Sequence, residues 1–302
     1  MDRTLSREEW LAATRAHEAG VEQHTREHLD RRQRGERHPV EDFLFEYYGH
    51  RPAHLRRWHP GPGVVLADAA DVYGERSGYV VDEHGAARLD IASVVERRGR
   101  TITFVRDLLT ATLSRPGTHD CFGLHEWAMV YRLRPGEQRH DQLPLRLTQA
   151  QTDAVVEGHR VRCSHADAYR FFTPDAVEHN ALRPTRDAQV ALEQPACLHA
   201  GMDVYKWCFK LAPLVPSELT LAAFELARRI RRLDMAASPY DVSGLGIAPV
   251  KIETAAGKAE YVERQRDFAR RSNALRRQLL EVLDDAVARA DRLSPGPAMV
   301  ET

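Results

Sequence analysis

Apolar positions recur along most of this chain at intervals of three and four, the period of a helix with one buried face. In the last third, Leu219, Ala222, Leu226, Ile230 and Leu233 form one stripe, with Ser217 as the expected cap. Tyr261, Phe268, Leu275, Leu279 and Leu283 form another, predicting a helix from about Lys258 to Leu293. Ser238 to Gly246, rich in turn residues, separates the two. Ile102, Val105, Leu108, Leu109 and Leu113 predict a helix over Thr101 to Leu113, and Thr148 opens another that runs to His159. Near the N-terminus, Ser6-Arg-Glu-Glu9 has the capping-box form, and a helix to about Arg34 follows with a thin apolar stripe. Its His17, His24 and His28 share helical spacing, which suits either a solvated face or a row of metal ligands. His38-Pro39 breaks that helix, and the aromatic-rich Val40 to Tyr48 predicts an inward-packing second one.

The pattern departs from helical only between residues 64 and 90. There Val64 to Ala67, Gly78 to Val81 and Ala87 to Asp90 are short apolar runs separated by Gly and Asp, which read as strands. Pro135-Gly136 and Pro144 mark a second irregular region. The expected architecture is mainly α, a multi-helix globular domain with a small β insertion at about residues 64–90. An N-terminal helical segment (1–37) precedes the main domain (38–293), and a disordered tail (294–302) closes the chain. Neither an internal repeat nor a low-complexity segment occurs.

Composition narrows the function classes. Charged residues make up 29% of the chain, yet the formal net charge is −1, so the global basic footprint of a non-specific nucleic-acid binder is missing. A local basic element survives at Arg56-Arg57-Trp58, beside the loop His59-Pro-Gly-Pro-Gly63, where a phosphate or a stacked base can be held. No run approaches the ~20 apolar residues of a membrane span. Four scattered cysteines form no disulfide framework and no apolar signal follows Met1, so a cytoplasmic setting with reduced thiols and no membrane partner is expected.

Candidate chemistry gathers in three places: His119-Asp-Cys-Phe-Gly-Leu-His-Glu126, Cys163-Ser-His-Ala-Asp167 and Cys197-Leu-His-Ala-Gly-Met-Asp-Val-Tyr-Lys-Trp-Cys208. Imidazole and thiolate suit zinc or iron, and carboxylates suit iron. His125, His165 and His199 are therefore candidate metal ligands, with Glu126, Asp167 or Asp203 as a carboxylate ligand or general base. None of the three segments has the spacing of a local metal motif, so they must meet through the tertiary fold. A metal-free site can be built from the same residues. Glu126, desolvated beside Trp127, is a candidate general base with Asp167 and Asp203 as competitors. Lys206 and Arg170 can hold an anionic substrate, and Tyr205 or Tyr240 can donate a hydrogen bond. A plain ion pair between helices, such as Asp203 with Arg170, is the structural alternative. No nucleophile elbow, dinucleotide fingerprint or phosphate-binding P-loop is present.

Phe122-Gly-Leu-His-Glu-Trp-Ala-Met-Val-Tyr131, Arg162-Cys-Ser-His-Ala-Asp-Ala-Tyr-Arg-Phe-Phe172, Cys197 to Trp207 and Arg231 to Val242 carry a resemblance. With these segments the chain, from about His38 to Asp284, resembles a group of bacterial proteins labelled 3-methyladenine DNA glycosylase. The resemblance implies a DNA-repair hydrolase that cleaves the N-glycosidic bond of alkylated or unusual bases, in DNA or as nucleosides. Such an enzyme flips the base into an aromatic pocket and stabilises the sugar cation with a carboxylate. Trp127, Tyr131, Tyr169, Phe171, Phe172 and Trp207 would line the pocket, and Glu126 or Asp203 would be the carboxylate. The Gly-rich hairpin and catalytic Asp of helix-hairpin-helix glycosylases are not found. Three readings stay open: this hydrolase, a zinc or non-haem iron enzyme acting on a small molecule, and a non-enzymatic helical binding protein with a His/Cys-lined pocket.

Overall fold

The computed structural model describes residues 2–134, 136–138 and 142–293. The tail from Ser294 and Pro135 of the irregular region lie outside the described residues. Among those described, the chain is mainly helical with one small sheet, as the periodicity predicts. No described helix is long and apolar enough to cross a membrane.

Four helices make the body: Ile91–Ser114, Leu198–Lys210, Ser217–Ala236 and Ala255–Leu293. The 198–210 and 217–236 helices pack on each other and on the long C-terminal helix, which also runs against 91–114. Apolar stripes from all four interlock in one core holding Leu108, Met202, Tyr205, Phe224, Ile230, Leu233, Leu279 and Leu283, each essentially without solvent contact. The 91–114 helix begins ten residues before the stretch its apolar stripe predicts, because Asp90 caps it by accepting the Ser93 amide and carries the chain through Glu96-Arg-Arg-Gly-Arg100. The 217–236 helix starts where expected, but Ser217 is not its cap. Its hydroxyl accepts the His59 amide and donates to the Arg57 carbonyl, tying the 57–63 loop to the helix start.

The N-terminal helix, Arg7–Gln33, carries the full capping box, with Ser6 accepting from Glu9 and the Glu9 carboxylate accepting the Ser6 amide. It lies against the main body, and its histidines go three separate ways. His17 meets the Leu55 carbonyl, His24 meets Glu225 and His28 meets Asp42. A shared metal face on this helix is thereby replaced by three local hydrogen bonds. Phe43–Tyr48 forms the aromatic second helix. Trp58 is buried with its indole N–H on Glu218, so it is not offered for stacking.

The sheet has four strands in the order β1-β2-β4-β3. Val64–Leu66 (β2), Tyr79–Val81 (β3) and Ala87–Leu89 (β4) fall where the short apolar runs place them and pair antiparallel. The fourth strand, Arg3–Leu5 (β1), adds parallel to β2, with Arg3 opposite Val64.

Candidate metal centre

Three short segments converge on the inner end of the 198–210 helix. Phe122 and Gly123 take consecutive left-handed conformations, φ 46° and 74°, which turn the chain into the short helix Leu124–Ala128. Glycine suits the second of these because it carries no Cβ penalty there. The turn drives His125 and Glu126 inward, both buried. His165 precedes the short helix Ala166–Tyr169, and His199 lies in the first turn of the 198–210 helix; both are buried. The three histidines meet. The His125 ring stands edge-on to His199 with centroids 4.5 Å apart, and His199 stacks on His165 at 5.1 Å.

Carboxylates divide this cluster into two groups, within each of which the candidate ligand atoms lie within 4.8 Å of one another. One is His125, His199 and Asp234; the other is His165, Glu193 and Asp203. The two are chemically unlike. Asp203 accepts from Tyr48 Oη at 2.8 Å, from Lys206 Nζ, and from His165 Nε2 at 3.3 Å. Glu193 accepts from Gln189 at 2.8 Å. In the second group, then, donors of the protein already occupy the carboxylates, and the Lys206 ammonium supplies the cation. Burial opposes ionisation of Asp203, but Lys206 and His165 outweigh it and hold the carboxyl far below its usual range.

In the first group the acid is paired to one of the histidines: His125 Nε2 and Asp234 Oδ1, both buried, form an ion pair at 2.9 Å. Asp234 has no solvent exposure, and its other oxygen accepts from Arg231 at 2.8 Å. Arg231 also holds Glu126 at 2.8 Å and spreads over the Phe43 ring at 3.9 Å. Burial disfavours the Asp234 anion, yet His125 beside it, with His199 and Arg231 adding to the effect, keeps the carboxyl well below the carboxylate range. Burial likewise disfavours a charge on His125, and the Asp234 anion overrides it to raise this imidazole well above its usual value. His199 is driven the other way, by burial and then by His125, and stays neutral. Neutral imidazole is the form that binds a metal.

A cleft of about 400 Å³ touches this group at His199, with Glu126, Arg231, Asp167, Phe43, Tyr47, Phe171 and Tyr240 among its other walls. A second cleft of about 500 Å³ shares Tyr47 and Asp167 with it and carries Arg170, Arg186, Lys206, Lys210 and Trp207.

These positions sort the residues singled out from sequence. His125, His165, His199, Glu126, Asp203 and Lys206 share one buried region, with Asp167 and Tyr240 at its cleft. Arg170 and Trp207 line the second cleft, and Arg170 faces Asp167 at 3.9 Å instead of pairing with Asp203. Tyr205 is buried among Tyr48, His50, Phe209 and Phe224 with no partner for its hydroxyl, away from both clefts. Trp127 is core and donates to the Ala237 carbonyl. Tyr131 bonds Glu157 and His179 instead of entering a cleft. Phe172 packs on Tyr169, and its neighbour Phe171 is the ring in the cleft wall. Asp234, Arg231, Glu193 and Tyr48 are the additions the fold makes to the site. The one sequence signal for the first pair is the Arg-x-x-Asp spacing, which sets both side chains on one helix face.

No protein-family model, no curated protein and no solved structure matches this chain.

Proposed function

We propose that this protein is a metal-dependent enzyme, holding zinc or non-haem iron through His125, His199 and Asp234 and acting on a small molecule that enters by the 400 Å³ cleft. Two histidines and one carboxylate are the donor set of non-haem iron sites, and three-ligand zinc sites of the same type are catalytic because coordination positions stay open. The observation that carries the reading is that ligand atoms of His125, His199 and Asp234, all three buried, lie within 4.8 Å of one another. The chain's remaining residues have defined parts. Arg231 orients Asp234 from behind, as second-layer partners of metal ligands do. Glu126, held by Arg231 at the cleft, is placed to exchange a proton with substrate. A bound ion would polarise a substrate oxygen or activate water or dioxygen.

The test is metal content of the full chain purified without chelators. One iron or zinc per chain that is lost in His199→Ala and in Asp234→Asn supports the reading. Wild-type protein with no stoichiometric metal at any stage, or variants that keep their full complement, overturns it.

One observation favours the nucleobase reading as the second choice. The cleft walls include Phe43, Tyr47, Phe171 and Tyr240, aromatic surfaces that suit a planar base, with the Asp167 carboxylate among them. Here the product is free base released from alkylated DNA or nucleosides. Release that survives metal removal and is lost in Asp167→Asn selects this reading over the first, and no release from wild type removes it.

A further inference from the structure

The second cleft gathers more positive than negative charge. Its walls hold Arg170, Arg186, Lys206 and Lys210 against Asp167 and Asp187. Three of these cations stand round one carboxylate. Arg186 Nη2 lies 3.4 Å from Asp167, Lys206 Nζ 3.7 Å and Arg170 Nε 3.9 Å, all longer than a close charge-assisted hydrogen bond. Lys206 is matched by Asp203, which accepts its proton from behind the wall. Asp167 is then left facing two guanidinia, and Lys210 adds another ammonium 5.7 Å from the Trp207 ring centre. Counting Asp203, four cations meet three acids, so one positive charge is in excess.

The cations differ in how firmly they are held. The Lys206 side chain is 12% exposed, tied to Asp203 and laid over the Trp207 face at 4.5 Å. Burial opposes its charge, but Asp203 and then Asp167 outweigh burial and keep it an ammonium. The Arg170 and Arg186 side chains are 50% and 77% exposed and reach into solvent. One pinned ammonium and two open guanidinia, placed on different sides of one point, suit a tetrahedral group with three outer oxygens better than a flat carboxylate with two. Tyr47 and Asp167 line this cleft and the cleft at the proposed centre alike, so the two adjoin. A molecule lying across both sets its body against Phe43, Tyr47, Phe171 and Tyr240 and its anionic end among the cations.

We propose that the second cleft is a phosphate subsite, and that the substrate is a small phosphate monoester with a planar body, its phosphate held by Arg170, Arg186 and Lys206. The role of this subsite as substrate anchor rests on the metal-enzyme reading above, whereas phosphate binding by the cleft does not. Arg170 and Arg186 act here in binding and make or break no bond.

The test is calorimetric titration of the full chain with phenyl phosphate at about pH 8, where the ester is dianionic, with phenol and benzoate as comparisons. The expected result is binding of one phenyl phosphate per chain, tighter than either comparison. It weakens about ten-fold or more in Arg170→Gln/Arg186→Gln, two exposed positions whose replacement leaves the circular dichroism spectrum unchanged. Binding stays the same in chelator-treated wild type and in Asp234→Asn, because the phosphate is held by the cations and not by a metal ion. No binding by wild type, undiminished binding in the double arginine variant, benzoate bound as tightly as phenyl phosphate, or loss of binding on chelation overturns the proposal. The two readings fail separately. Phenyl phosphate bound by a chain that carries no stoichiometric metal refutes the metal centre alone, and a metal-loaded chain that does not bind it refutes the subsite alone.

Discussion

Replacing Arg231 by Met strips the site of a fully buried guanidinium. The side chains of Arg231, Glu126 and Asp234 are 2%, 5% and 0% exposed, so water cannot take over the guanidinium's role. Removing one member of a buried ion network strands the opposite charges and costs about 3–5 kcal/mol. Here two carboxylates lose the same donor, which places Arg231→Met toward the upper end of that range. With a urea m value of about 3 kcal/mol/M for a chain of this size, the midpoint of unfolding falls by roughly 1–1.7 M. The assay is urea unfolding followed by circular dichroism on wild type and variant. The double variant Glu126→Gln/Arg231→Met recovers part of the loss, because the Glu126 charge is gone and Asp234 keeps His125. A midpoint shift of less than about 0.3 M, near 1 kcal/mol, would refute the claim that Arg231 is what balances these acids.

Three further outcomes follow from other parts of the molecule. Gly257→Ala lowers stability by about 1–3 kcal/mol or more in the same unfolding assay, because a Cβ there would sit 2.0 Å from the Lys251 backbone oxygen; a neutral result contradicts that packing. Tyr205→Phe leaves stability unchanged or raises it by about 1 kcal/mol, since it deletes a buried hydroxyl that has no partner, and a loss of 2 kcal/mol or more would reveal a bond the structure does not show. Burial, with His54 nearby, lowers His50 to about 4, and burial with Arg76 and Arg57 lowers His59 to about 4. Both stay neutral in the fold while the unfolded imidazoles protonate near 6.5, so the unfolded state binds more protons between those values. Stability therefore falls as pH drops through that window, by up to about 2.7 kcal/mol per unit for the two together. His59→Gln flattens the profile, and stability that does not change from pH 7 to 5 contradicts it.

Periodicity made the helical body legible, and the reason is visible in the residues it named. Leu226, Ile230, Leu233, Leu279 and Leu283 are the core because a strong stripe on a long helix has only one way to be buried. Side chains that bond locally were legible too: the Ser6/Glu9 and Thr148/Gln151 capping boxes form as written. What escaped depends on distant partners. Arg3–Leu5 is too short to show alternation, and it becomes a strand only because Val64–Leu66 offers an edge. The first ten residues of the 91–114 helix hide behind a charged run containing Gly99. Within the site, the three histidines stand out by their neighbours in sequence. Asp234 does not, since Arg-Arg-Leu-Asp reads as the wet face of an amphipathic helix. It is buried because the 124–128 turn lays His125 and Glu126 over that face, so the acid and Arg231 exchange water for each other and for His125. No local spacing encodes that meeting.

The central claim is that His125, His199 and Asp234 share one ion. The most direct measurement is an anomalous difference map at the zinc and iron edges from crystals of the metal-loaded protein. The account predicts a single strong peak about 2.0–2.2 Å from His125 Nε2, a His199 ring nitrogen and Asp234 Oδ1. A map from metal-loaded crystals with no peak there would contradict it.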